Sequence, residues 1–226
     1  MMRISRQARA KMAVMGAFSI LVATGGGFGP EGQAQPIDAE TTLSPREHPK
    51  IARPGRLSKQ DAKVIYDTIA DHMADNLAIS GEPVASQYRR WWRVNDAPFL
   101  SATHGSRYVN VYANHIALRA GYNDMQSGVE MPPGAVVAKD SFTFTDDRAL
   151  FIGALFVMEK VAKGESENTA DWRYLMILPD GSVFADSSGA FPDSAAFCHT
   201  CHIQAKEFDY LFFLPEAYRR RVPGAD

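Results

Sequence analysis

The sequence predicts an α+β domain in which a mostly antiparallel β-sheet is flanked by helices. Three observations lead there. Residues 107–114 alternate strictly, setting Arg107, Val109, Val111 and Ala113 on one face and Tyr108, Asn110 and Tyr112 on the other. Further strand-like runs follow at short spacing, separated by the turn signals Pro132-Pro133-Gly134 and Pro179-Asp180-Gly181, as in neighbouring antiparallel strands. Helical segments precede and follow these runs. With 226 residues, 46% of them apolar, there is material for one well-cored domain and hardly for two.

Taken in order, the chain opens on residues 1–34, which read as a secretory signal peptide. Arg3, Arg6, Arg9 and Lys11 form a basic start, and residues 12–23 are an apolar run too short to span a bilayer. Gly32-Gln33-Ala34 then sets small residues at both positions a signal peptidase reads, so cleavage is expected after Ala34. An uncleaved membrane anchor is the alternative. These residues hold four of the 24 basic and one of the 26 acidic side chains, leaving a mildly acidic remainder of 20 against 25. No basic stripe survives to grip a phosphate backbone, which argues against nucleic acid as a partner.

Residues 35–57 carry four prolines (Pro36, Pro45, Pro49, Pro54) and no apolar period, and read as an extended lead segment. The main domain spans 58–226. Ser58 is placed as an N-cap, with Asp61 three residues on approximating a capping box. Ile65, Ile69 and Met73 repeat every four residues, with Ala62 and Leu77 extending the stripe, which predicts an amphipathic helix ending near Ser80-Gly81. His72 on it reads as a partly exposed helix residue. After the 107–114 strand the pattern predicts a short helix over 114–120, closed by Gly121. Strands are expected over 135–144, 151–160 and 172–178, and a last helix opening near Ser194.

That last helix carries Cys198-His199-Thr200-Cys201-His202. Two thiols three positions apart, followed at once by an imidazole, form the attachment pattern of a c-type haem. Each thiol adds across one vinyl group, and His202 then falls beneath the iron as its proximal ligand, while His199 points away. The chain's two cysteines are both here, so no second pair exists to complete a four-ligand zinc site. A redox dithiol or a plain disulfide stays open, but neither needs His202. The fold class thus gains a C-terminal c-type haem-binding segment, with one haem held covalently by Cys198 and Cys201. The tail aromatics Phe208, Tyr210, Phe212 and Phe213 are expected to pack around it and the sheet. Bacterial haem is attached outside the inner membrane, so signal and motif agree on the periplasm.

A haem motif this late, behind a run of strands, departs both from small helical electron carriers and from four-helix cytochromes. Several pieces occur in order across residues 88–218. They are Tyr88-Arg89-Arg90-Trp91, Ala97-Pro98-Phe99, Arg107-Tyr108-Val109-Asn110-Val111, Gly134-Ala135-Val136-Val137-Ala138-Lys139, residues 153–159, residues 168–172 and the haem motif. Together they resemble the cytochrome P-460 family and its relative, the β-sheet cytochrome c′. The resemblance implies a single c-type haem in a pocket against an antiparallel sheet, usually in a homodimer.

It also implies roles for particular residues. In hydroxylamine-oxidising members a lysine is bonded to a meso carbon of the porphyrin, and Lys139 matches it, on a strand face with Ala135, Val137 and Ser141. A lysine held against haem is desolvated, which lowers its pKa and frees the lone pair that attacks the ring. On pattern alone, Lys139 reads first as an ordinary surface lysine on an edge strand. Glu159 matches a distal-pocket glutamate and ends a face read as Phe151, Gly153, Leu155 and Val157, where an apolar setting would raise its pKa and suit it to accept protons. On pattern alone it could be a solvated charge. Arg107 matches a pocket residue that donates to a bound ligand, or it forms a salt bridge. A His104/Arg107 pair would suit peroxide cleavage instead.

These expectations describe a periplasmic mono-haem enzyme, five-coordinate through His202, with Glu159 and Arg107 catalytic. It would oxidise hydroxylamine toward nitrogen oxides and pass electrons to a redox partner cytochrome. The competing expectation is a non-enzymatic cytochrome of the β-sheet c′ type that binds a diatomic gas (NO or CO) or carries electrons. Its distal wall would be apolar, drawn from Phe142, Phe144, Phe151 and Phe156. A six-coordinate carrier would need Met125, Met131, Met158 or Met176 across the iron.

Overall fold

The computed structural model describes residues 53–220, so the expected signal peptide and most of the lead segment lie outside the described residues. The end of that lead is tied down: Pro54 bridges Thr145, and the Gly55 amide donates to the Phe144 carbonyl at 2.8 Å. Helix α1 (Lys59–Ala78) then starts where its cap dictates, with the Ser58 side chain accepting from the Asp61 amide. Its buried stripe is Ala62, Tyr66, Ala70, Met73 and Leu77. The expected stripe is thus rotated: Ile65 and Ile69 only flank it, half-buried, because Tyr66 turns inward to bond a buried carboxylate.

Helix α2 (Pro83–Gln87) and one tight turn lead into β1 (Trp92–Arg93), β2 (Phe99–Ser101) and β3 (Arg107–Ala113). Asn114 caps α3 (His115–Arg119) by accepting from the Ala117 amide. Then come β4 (Val136–Phe144), β5 (Leu150–Ile152), β6 (Leu155–Lys160), β7 (Trp172–Ile177), β8 (Val183–Asp186) and α4 (Ala196–His202). All pairings are antiparallel, in the order β1-β3-β4-β6-β7-β8, with β2 beside β3 and β5 beside β4. The fold is α+β and mostly sheet, as expected.

The expected single strand over 151–160 is in fact two. Phe142 pairs with Ile152, but Lys139 pairs with Phe156, so three residues of one strand face two of the other, a β-bulge at Gly153. The bulge exchanges the faces of everything before it relative to everything after. Phe151 opposite Thr143 and Leu155 after the bulge therefore do not share the face that strict alternation predicts.

The sheet separates two apolar layers. On one side α1 and α2 cover Tyr108, Tyr112, Ala138, Phe142, Leu155, Val157 and Ile177. On the other, α3, α4 and the C-terminal tail cover Val111, Val137, Phe156, Met158, Trp172 and Tyr174. The α1 side also buries a carboxylate. Asp140, fully buried, accepts from Tyr66 at 2.6 Å, Tyr88 at 3.2 Å and Asn110 at 3.3 Å.

Candidate haem site

Cys198, Cys201 and His202 stand on α4 at spacings of three and four, which brings them to one side of the helix. They form one wall of a cavity under the sheet. Opposite them stand Val137 and Lys139 from β4, Phe156 and Met158 from β6, and Tyr174 from β7. Thr103 and His104, in the loop before β3, with Tyr122, Leu211 and Phe212, close it. The walls are thus mainly apolar, with the polar groups concentrated at Lys139, His104 and the thiols.

His202 is buried, and its Nδ1 lies 2.7 Å from the Tyr210 carbonyl oxygen. A carbonyl can only accept, so Nδ1 carries the hydrogen and Nε2 keeps its lone pair for a metal. The ring is braced by Tyr174 at 5.6 Å and Phe212 at 5.3 Å between centroids. His199 instead stacks on Tyr210 outside the cavity wall, as expected of the residue between the thiols. Burial pushes the Cys198 thiol up to about 12, the reverse of what activates a redox dithiol. Among the described residues, no three His, Cys, Asp or Glu side chains converge as a metal site. Two thiols, an imidazole with its outer nitrogen free to ligate and a largely apolar slot fit a haem; they do not fit zinc.

Lys139 lines this cavity, on the sheet face shared with Val137 and Ser141. Burial lowers its amine to about 8, against the opposing effect of the nearby Cys201. It is therefore far easier to neutralise than a surface lysine.

Glu159 is elsewhere. It pairs with Val136 and Arg173 and alternates with Leu155 and Val157, on the α1 side of the sheet. There its carboxylate lies 3.5 Å from Arg173, which also bonds Asp186 at 2.8 Å and Glu82 at 3.2 Å. The reading of Glu159 as a distal-pocket base is corrected: the sheet stands between it and the thiols. Arg107 occupies the cavity face of β3, but the described wall of the cavity does not include it. Its guanidinium, half-buried, donates to the His104 carbonyl at 3.2 Å, and burial lowers its pKa. His104 itself does line the cavity. Its Nδ1 lies 3.0 Å from Ser101 Oγ and 3.3 Å from Thr103 Oγ1, and its ring rests on Phe156 at 4.9 Å.

The four phenylalanines also divide. Phe142 stacks on Tyr108 and Phe144 packs beside it on the α1 side, Phe151 is 57% exposed, and Phe156 alone of the four joins the cavity wall. Of the four methionines, Met158 is in that wall. Tyr122 and Tyr174 were not anticipated. The parity of β7 could have flagged Tyr174, between Trp172 and Met176, but Tyr122 follows a helix in a loop and leaves no local signal.

No curated protein matches the chain. The family model Cytochrome P460 matches residues 85–213, more than half of the 226 residues, a span that takes in every cavity residue named above. The chain therefore belongs to the cytochrome P460 family and is a haem protein of that kind.

Proposed function

We propose that this protein is an exported c-type haem oxidoreductase that oxidises hydroxylamine toward nitrogen oxides and passes the electrons to another cytochrome. The observation that carries the reading is Lys139, whose side chain shares one cavity with Cys198, Cys201 and His202. Haem held there would supply an iron able to accept electrons from a small nitrogen substrate. The protein's part is to hold and tune. Cys198 and Cys201 would supply two covalent tethers and His202 would ligate through Nε2, while Lys139 would offer a largely desolvated amine in the same cavity, as in the hydroxylamine-oxidising members this sequence resembles.

Withdrawing electrons from N–H and O–H bonds releases protons, and the reaction needs an acceptor beside the substrate. His104 takes that role in place of Glu159, its imidazole oriented by the Ser101 and Thr103 hydroxyls. Val137, Phe156, Met158 and Leu211 exclude water, which strengthens each of these polar contacts. Export rests on the residue pattern of 1–34 together with the haem motif.

A second reading, gas binding without turnover, is favoured by two observations: Glu159 lies across the sheet, and much of the cavity wall is apolar. Intact mass, optical spectra and turnover of the purified holo-protein separate the two. The enzyme reading expects one covalently attached haem and a red-shifted reduced band that Lys139→Ala converts to an ordinary c-type spectrum. It also expects reduction of an artificial acceptor by hydroxylamine. An ordinary wild-type spectrum, NO or CO binding and no acceptor reduction would replace it with the second reading.

A further inference from the structure

We propose that the buried Lys160–Asp209 ion pair is a positioning device for His202, holding the backbone turn whose carbonyl orients and tunes the imidazole. The inference rests on the reading of His202 as the iron ligand and goes beyond it by assigning the residues that set that ligand's strength.

Lys160, at the end of β6 on the cavity side, places its Nζ 2.8 and 3.0 Å from the two Asp209 carboxylate oxygens and 3.0 Å from the Ala170 carbonyl. The two side chains are only 9% and 4% exposed. Withdrawing a charge pair from water is costly, and a well-packed apolar pair would serve stability as well or better. This pair is, however, fully bonded. Asp209 Oδ2 also accepts from the Met131 amide at 2.7 Å, and the Asp209 carbonyl accepts from Trp172 Nε1 at 2.9 Å.

What these bonds enclose is a strained turn. Asp209 and Tyr210 have φ of 51° and 64°, consecutive left-handed residues that are not glycine. Such conformations persist where the surroundings over-determine them, and they gather at functional sites. Here the bonds to Asp209, with the Tyr210 amide donating to the Ala205 carbonyl at 2.9 Å, over-determine the turn. Its outcome is the Tyr210 carbonyl 2.7 Å from His202 Nδ1. An acceptor on that N–H fixes the plane of the ring and raises the basicity of Nε2. A more basic ligand favours ferric iron. The chain of effects therefore runs from Lys160 and Asp209, through the turn, to the potential.

The test uses the ferrous haem-loaded protein, read by the iron–histidine stretching band in resonance Raman and by spectroelectrochemical potential. In Asp209→Asn, Lys160→Met and the double variant, the band is expected to fall in frequency. The potential is expected to rise by about a tenfold shift in the ferric/ferrous ratio, or 59 mV for one electron. Lys160→Arg should restore both toward wild type. Leu77→Ala, in the α1 layer across the sheet, is the reference for lost stability: it should lower Tm and move neither reading. An unmoved band and potential in any folded, haem-loaded charge-removal variant would overturn the proposal, as would equal shifts in Leu77→Ala. The double variant leaves no uncompensated charge and serves if a single variant does not load haem. A wild-type ferrous haem that is five-coordinate yet shows no iron–histidine band would instead sink the ligand reading itself.

Discussion

Lys139 and Glu159 lie on opposite faces of the same sheet. Lys139 pairs with Phe156 and Val136 pairs with Glu159, so Lys139 shares its face with Phe156, Met158 and Lys160, and Glu159 belongs to the alternate set. One lines the cavity with the thiols; the other joins Arg173 beneath α1 and α2. On the proposed function, proton transfer in the cavity uses groups on the Lys139 side, with His104 in its wall.

Glu159→Gln tests this directly. The carboxylate is 40% exposed and lies 3.5 Å from an Arg173 that keeps two better partners. Its removal should cost no more than about 1 kcal/mol and leave turnover and the haem spectrum as in wild type. Urea denaturation and steady-state assays check this; a tenfold loss of turnover would return Glu159 to the mechanism.

The Asp140 cluster predicts a pH dependence. Burial pushes the Asp140 carboxyl up to about 6 from 3.8, although hydrogen bonds from Tyr66, Asn110 and Tyr88 and the charge of Arg89 oppose it. The folded state then binds more protons than the unfolded state between about pH 4 and pH 6, so stability falls as pH rises through that window. The loss above pH 6 is about 3 kcal/mol at 1.36 kcal/mol per unit. Asp140→Asn should remove this component, gaining on the wild type between pH 4 and pH 8. Urea midpoints at the two pH values measure the gain, and parallel curves would refute the assignment.

Gly153→Ala should disturb the bulge. A Cβ there would stand 2.3 Å from Ser141 Oγ and 2.9 Å from the Ser141 carbonyl oxygen. The hydroxyl can rotate away; the main chain cannot. A cost of about 1–3 kcal/mol is expected, with an altered haem spectrum, because the bulge sets Phe156 and Met158 into the cavity. An unchanged denaturation midpoint would contradict the register.

Ser58→Ala removes the α1 cap and should cost about 1 kcal/mol, lowering Tm by about 2–4 °C. The haem spectrum should not change, since α1 lies on the far layer. Thermal denaturation followed by circular dichroism gives the answer.

Much of the architecture was readable along the chain. The start of α1 follows from Ser58, the faces of β3 from its alternation, and the thiol–imidazole cluster from its spacing, all short-range properties. The strands β1, β2 and β8 escaped because two to four residues show no period. The rotation of the α1 stripe escaped because Tyr66 is drawn inward by Asp140, far along the chain, and not by its own neighbours.

Local chemistry was enough to announce a haem motif and an antiparallel sheet before it, since caps, alternation and motif spacing act over a few residues. Which side chains line the cavity beside that motif was settled by long-range pairing. One extra residue at Gly153 reverses strand parity, and no short-range pattern records it. The pairing of Lys139 with Phe156 and of Val136 with Glu159 then puts the lysine on the cavity face and the glutamate on the other.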